Sequence, residues 1–457
     1  MSSLLLPFKR IVDKAGRPHN RDFLLRSAAL AAIRIIGLAS VFALQVLLAR
    51  LLGDSTEYGK YAWGQSLLFV LGTIAAMGIP AATGRFISAL EAQNNEPLIY
   101  RVTARAWKIA ALASALLILA AALLRIIWEV GEGPTEYRNI SLLALACAPI
   151  VTFFLLYQFM AQARRWLLLA FLPSQILRPV LTGLLIFVVW LLHDKELSGE
   201  IVLLLGALGT LMVTLPQSII YHARQRQLPR TSTIPEPGDE FHPEKLLRTA
   251  LPIFFTRLAV LLIEYSNILL LGILAGPVVA GLYFAADRLA RLASIPLSLV
   301  ESVSQPAYSA AQATGNKNWL QQAATQAAHG SLWPTLLVVV FLMIFAKPVL
   351  AIFGEDFIAA LPVLVILLIG QLVNVSTGTG RHLLIMTGHQ SLVPRVMFFS
   401  AIVHVCALLV LVPAFGAIGA ALTAVLSSII SNVWCMILVK RVMAIRPTVL
   451  ATLSPRK

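Results

Sequence analysis

A small set of ionisable side chains stands inside otherwise apolar sequence: Arg34, Arg178, Arg257, Glu264, Asp287, Arg288, Arg291, Glu301 and Arg381. A charge at the centre of a membrane-crossing helix costs about 2.5–3.5 kcal/mol on insertion scales, so such residues face a protein interior or a wet cavity rather than lipid. Arg288 and Arg291 are three residues apart, and Asp287 and Arg291 four apart, so they share one helix face. Two readings of this cluster stand. Asp287 and Arg291 form a neutralising pair, or the cluster is a basic lining for an anionic substrate. Arg288 has no acid four residues before or after it, which favours the second reading for that residue. Arg257 and Glu264 lie seven apart, two turns along one stripe. Arg34 and Arg381 sit near span ends, where a long side chain also snorkels to the headgroups. Arg85 stands at the inner end of an apolar segment, at a cytoplasmic mouth or as an interface anchor. Arginine in such places suits recognition of an anionic substrate. Glu264, Asp287 and Glu301 are candidates for titration coupled to an ion.

Other chemistry is not expected. There is no P-loop, no HExxH and no CxxC, and Cys147, Cys406 and Cys435 all lie in apolar segments. The eight histidines are scattered and Gly378-Thr379-Gly380 is too short for a nucleotide fingerprint. No enzyme, metal or cofactor is expected.

These charges need elements to carry them, and composition names the kind. Of 457 residues, 58% are hydrophobic and only 12% charged, about half the share of soluble domains. A bilayer accommodates that apolar surface directly. Apolar segments near twenty residues long fall at 27–50, 62–84, 107–127, 140–162, 167–192, 199–221, 248–273, 278–304, 330–353, 358–385, 391–412 and 416–439. The expected fold is all-α and polytopic, with about twelve transmembrane helices. The net charge of +15 follows from loop lysines and arginines, with no nucleic-acid motif beside them, so no nucleic-acid partner is expected. With the N-terminus taken as cytoplasmic, only Arg50, Lys60, Arg125, Arg138, Lys195 and Lys347 among 36 Lys and Arg fall in outer loops. That asymmetry puts both ends inside.

The expected organisation is a basic cytoplasmic arm at 1–26, a six-helix bundle at 27–222, a cytoplasmic linker at 223–247, a second six-helix bundle at 248–441 and a cytoplasmic tail at 442–457. The arm has no signal-peptide cleavage site; it is a disordered arm or a membrane-surface segment. The linker carries Pro229, Pro235, Pro237, Gly238 and Pro243. The two halves echo each other faintly. Gly59-Lys60-Tyr61 opens the second span and Gly281-Leu282-Tyr283, 222 residues later, opens the eighth. A matched turn at the same place in two six-helix halves favours parallel repeats.

Four stretches resemble one family. ARLLGDSTEYGKYAWGQSLLFVLGTIAAMGIPAATGRFI (49–87), AGLYFAADRLARLASIPLSLV (280–300), IFGEDFIAALPVLVILLIGQLVNVSTGTGRHLLIMTGH (352–389) and VPAFGAIGAALTAVLSS (412–428) are similar to Wzx-type oligosaccharide flippases. These belong to the multidrug/oligosaccharidyl-lipid/polysaccharide exporter superfamily. The resemblance implies two pseudo-symmetric six-helix bundles around a central cavity that alternates in access. It implies transfer of a polyprenyl-diphosphate-linked oligosaccharide across the bacterial inner membrane for exopolysaccharide, capsule or O-antigen synthesis. Partners would be that lipid-linked sugar, membrane lipids, and a polysaccharide polymerase with glycosyltransferases. The family's basic cavity carries over to Arg34, Arg257, Arg288 and Arg291. A cation-coupled multidrug or metabolite antiporter of the superfamily is the nearest alternative; such proteins place an acid in the first helix, where this chain has Arg34. A lipid II flippase, which carries two further helices, is another. A non-transporting membrane assembly factor is the third, and it would need no charged cavity.

Overall fold

The computed structural model describes residues 20–130, 137–192, 196–228 and 243–445. The start of the basic arm, the proline-rich part of the linker at 229–242 and the tail from 446 onward lie outside the described residues. Among the described residues the regular structure is helical throughout, as the apolar segments require. The helices are α1 (Asn20–Leu52), α2 (Ser55–Ala75), α3 (Ile79–Ala92), α4 (Glu96–Val130), α5 (Arg138–Ala163), α6 (Leu167–Leu172), α7 (Arg178–Leu192) and α8 (Gly199–Gln227). There follow α9 (Pro243–Ala275), α10 (Pro277–Leu292), α11 (Ile295–Ala313), α12 (Lys317–Ile344), α13 (Ala346–Ala351), α14 (Leu361–Ser376), α15 (Gly380–Met386) and α16 (Val393–Met443).

Among the described residues, nine helical stretches are long and apolar enough to cross a membrane, and α2 with α3, bent by 51°, makes a tenth. The twelve expected spans map onto these with one physical difference. The last two spans, within the range given as α16, are two helices that meet at a kink at Gly416, whose φ of 55° and ψ of −130° leave the helical region. The eighth span is not one helix but two, α10 and α11, separated at Ala293-Ser294, with Pro296 inside the first turn of the second. Its charges at Asp287, Arg288, Arg291 and Glu301 make it the least apolar of the twelve. Other spans break where the sequence supplies a breaker. The α2–α3 bend contains Met77 and Gly78, both at positive φ, with Pro80 beyond them. The α14–α15 break contains Gly378 at φ 73°. A π-helical turn at Pro173–Leu177 joins α6 to α7.

The chain divides into two compact units, one of residues 33–261 with 276–281, the other of 262–275 and 282–457 with the start of α1. In the first unit, α4 shows how a span faces two media. Val102, Ala106 and Ala110 are buried, while Leu112, Leu116, Leu119, Leu123 and Ile126 form an exposed stripe at alternating steps of three and four. Such a stripe has no soluble partner and suits lipid. With lipid as apolar as leucine, helices associate through close packing of small residues. The first unit follows this rule: Ala82, Ala106, Ala110, Ala161 and Ala170 share one core with Ile87, Leu156 and Tyr221. Gly72 lets α5 approach α2, so that the Thr152 hydroxyl donates to Gly72 O at 2.9 Å.

The same unit explains the sequence echo. Asp54 caps α2 by accepting from Thr56 N at 2.9 Å, and Glu57 reaches across to accept from Gly199 N, at the start of α8, at 2.7 Å. One turn further, Gly59 and Gly281, the two echoed glycines, pack against each other. A Cβ on Gly59 would lie 1.9 Å from Pro277 O, and one on Gly281 would lie 3.0 Å from Gly59 Cα. The repeat is thus a helix crossing at backbone contact, which only glycine permits. Gly59→Val forces α2 and α10 apart and lowers the thermal unfolding midpoint of purified protein in detergent. Gly388→Asn, at an open turn with φ 86° and no atom within reach of a Cβ, leaves the midpoint within a degree or two.

Candidate functional site

The charged residues expected inside the spans fall in both units and meet different fates. On α10, Arg291 Nε donates to Asp287 Oδ2 at 2.7 Å, so the pair four residues apart does form. Arg288 stays outside this pair. Its guanidinium carbon lies 4.3 Å from the centroid of the fully buried Phe284 ring. Its Nε is buried and makes no hydrogen bond to a described residue. A cation over a ring face is held by the quadrupole, worth about 0.5–2 kcal/mol and more when desolvated. The ring face supplies no acceptor in the plane of the guanidinium, so the stacking does not satisfy Nε.

Arg34 and Arg257 are exposed on α1 and α9, and Arg85 is exposed on α3. Glu264 is half-buried on α9. The structure brings Asp287 and Arg291 into contact and joins Glu301 to His382, with 2.9 Å between Glu301 Oε1 and His382 Nδ1. Arg178, which follows the π turn, lies over two rings, 5.1 Å from the centroid of Phe69 and 5.6 Å from that of Phe154. That stacking places this intramembrane charge within the packing of α2, α5 and α7.

Two sites escaped the sequence. Arg164, grouped there with the loop charges, is buried, and its NH1 and NH2 donate to the two oxygens of Glu96 at 2.7 Å each. Burial opposes its charge; the bonds to Glu96 more than offset this, and the guanidinium is held above its ordinary pKa. Trp166 lies beneath both Arg164 and Arg224, at 6.0 and 5.7 Å. With the partners 68 residues apart, no local spacing signals this fork. A cavity of about 520 Å³ opens beside it, lined by Glu96, Tyr100, Arg101, His222, Gln225 and Arg226. The second site is His382, which the sequence left among its scattered histidines. It lines a cavity of about 200 Å³ with Glu301, Arg381, Asn374, Thr379 and Asn432.

Similar folds occur among solved membrane transporters. An inward-facing multidrug resistance MATE family transporter of the MOP superfamily superposes with a TM-score of 0.72 at 15% identity, covering 91% of this chain and 98% of that one. The lipid II flippase MurJ, in an inward closed conformation, gives 0.64 at 15% identity over 90% and 87%. A MOP superfamily transporter from Pyrococcus furiosus, described as having a binding pocket of reversed polarity, gives 0.62 at 14% over 92% and 95%. The molecule is therefore a multi-pass membrane protein with the all-α fold of the MOP superfamily. No curated protein matches it by sequence. Polysaccharide biosynthesis proteins match residues 27–312, more than half the chain, and the chain belongs to that family.

Removing one partner of the buried Arg164–Glu96 fork leaves the other charge uncompensated, at a cost of about 3 kcal/mol or more. Glu96→Gln and Arg164→Ala each lower the unfolding midpoint of the purified protein. Arg165→Ala, at the exposed neighbouring position, does not.

Proposed function

We propose that the protein is a flippase that moves a polyprenyl-diphosphate-linked oligosaccharide from the cytoplasmic to the outer leaflet of the bacterial inner membrane, by alternating access and without catalysis. Membership of the polysaccharide biosynthesis family supports the pathway, and the MOP-superfamily fold supports transport as the mode of action. The observation that carries the anionic substrate is Arg288. An apolar helix keeps this guanidinium on an aromatic face with a buried donor free, while its neighbour Arg291 is already engaged by Asp287. A diphosphate supplies the missing acceptors bidentately, with charge enough to offset desolvation of the arginine.

Arg34, Arg257 and Arg291 are proposed to serve the same headgroup, with Arg85 at the cytoplasmic mouth. Glu264, Asp287 and Glu301 are the candidates for coupling to an ion gradient. The proposed arrangement keeps the division into bundles at 27–222 and 248–441 around the linker at 223–247, with both termini cytoplasmic, which the charge asymmetry of the loops supports.

The role of Arg288 is read in cells that export polymer through this protein alone. Arg288→Ala removes charged hydrogen bonds worth about 2 kcal/mol, a fall of roughly 30-fold in export at unchanged protein level. Arg288→Lys keeps the charge but not the fork and retains part of the activity. Full export by Arg288→Ala overturns the assignment. In proteoliposomes, flipping of the lipid-linked sugar stops when every ion gradient is collapsed, and flipping that continues undiminished excludes gradient coupling.

A further inference from the structure

The cavity beside the Arg164–Glu96 fork has no part in the transport reading. Its volume of about 520 Å³ falls within the range of about 300–1,000 Å³ usual for small-ligand sites. Two elements of the first unit build it. The start of α4 contributes Glu96, Tyr100 and Arg101, and the end of α8 contributes His222, Gln225 and Arg226. The carboxylate of Glu96 is already engaged, since both its oxygens accept from Arg164. Arg101 and Arg226 are exposed, and neither meets a carboxylate among the described residues. The cavity therefore has two uncompensated guanidiniums at its rim.

Gln225 narrows the chemistry. It is only 9% exposed, and neither its Oε1 nor its Nε2 makes a hydrogen bond to a described residue. His222 lies close to the amide but off hydrogen-bonding geometry, and its Nε2 is 3.2 Å from the Tyr157 hydroxyl instead. A buried amide without partners is destabilising. The occupant that suits this cavity brings an acceptor for Nε2, a donor for Oε1 and negative charge for the two arginines.

Position indicates where such an occupant comes from. Gln225 and Arg226 lie four and five residues beyond the end of their apolar segment at 221, about 6–8 Å along a helix. The headgroup layer on each side of a bilayer is about 5–8 Å deep. On α4, Arg101, Arg105 and Lys108 follow one another at steps of four and three, all exposed, and the same line runs on into the exposed leucines from Leu112 to Leu123. One helix face thus passes from cations to hydrocarbon in the order in which a phospholipid passes from headgroup to acyl chain. Basic pockets between spans at this level suit anionic lipid headgroups.

We propose that this cavity binds the headgroup of an anionic, hydroxyl-bearing phospholipid of the phosphatidylglycerol type, which ties the start of α4 to the end of α8. Arg101 and Arg226 take the phosphodiester, Gln225 takes the glycerol hydroxyls, and the acyl chains lie along the leucine face of α4. A choline headgroup would set its own cation against two guanidiniums and offers Gln225 Oε1 no donor. The first unit alone builds the site, and its test is independent of what is transported.

Delipidated full-length protein in detergent is titrated at fixed ionic strength with phosphatidylglycerol, phosphatidylcholine or inorganic phosphate. Bound lipid is counted by native mass spectrometry, and the thermal unfolding midpoint is followed in parallel. Phosphatidylglycerol is expected to bind in preference to phosphatidylcholine and to raise the midpoint by a few degrees. With Arg101→Gln and Arg226→Gln together, its affinity falls about tenfold or more. With Lys440→Gln and Arg441→Gln, which remove the same charge from the exposed end of α16, its affinity is unchanged. Gln225→Leu exchanges an unpaired amide for an apolar side chain of similar size. Its midpoint without lipid is therefore as high as that of the wild type or higher, yet phosphatidylglycerol raises it less. That variant decides if the double arginine variant does not fold. Equal stabilisation by phosphatidylcholine overturns the proposal, as does a full response to phosphatidylglycerol in Gln225→Leu or in the double arginine variant. A matching rise with inorganic phosphate at the same concentration also overturns it, and would assign the cavity to a free anion.

Discussion

A charge carried into the hydrocarbon layer has to be compensated there, and this requirement shapes more of the molecule than any single contact. The structure uses three solutions. Asp287 and Arg291 meet as an ion pair with an N–O distance of 2.7 Å, and the same solution serves Glu96 and Arg164 at the span ends, also at 2.7 Å. Arg178 and Arg288 lie on aromatic faces. Glu301, His382 and Arg381 share a cavity with room for water. An aromatic face stabilises a cation without satisfying its donors, and the Nε of Arg288 has no hydrogen-bond partner among the described residues. The proposed recognition of a diphosphate draws on that unpaired donor.

Low polarity also governs how the helices pack and where they stop. With no hydrophobic drive to bring apolar helices together in lipid, association depends on close approach. Gly59 and Gly281 carry this to backbone contact. Polar groups in turn gather where helices are interrupted. The α10–α11 and α14–α15 breaks each release backbone that a lipid-facing helix could not leave unpaired, and both open onto the polar cavity of the second unit. Breaks and ionisable residues therefore coincide for a physical reason: each needs the wet space that the other helps to create.

Much of this was written locally. Apolar length marked the spans, and the spacing of Asp287 and Arg291 on one helix face offered their pairing as one of two readings, which the structure makes. The Gly-x-Tyr echo marked two helix starts that turn out to touch. Other features had no local signature. Arg164 reads as one of a pair of loop arginines, and its burial depends on a glutamate 68 residues away. His382 reads as a bystander because Glu301 lies on another element. The eighth span reads as one helix because Ala293 and Ser294 are not helix breakers in themselves; Pro296 permits a new helix to start there without requiring it.

By itself, the sequence determined that the chain lives in a membrane, which segments cross it, and that a few charges are carried across at a cost. These are properties of single segments, fixed by composition and by the short period of a helix. Only the tertiary structure decided what each charge does. Whether an arginine is neutralised, stacked or left open depends on which distant ring or carboxylate the packing brings within a few ångströms, and helix periodicity carries no information about that. Arg288 and Arg291 are three residues apart and chemically identical. The fold makes one a partner of Asp287 and lays the other on the ring of Phe284.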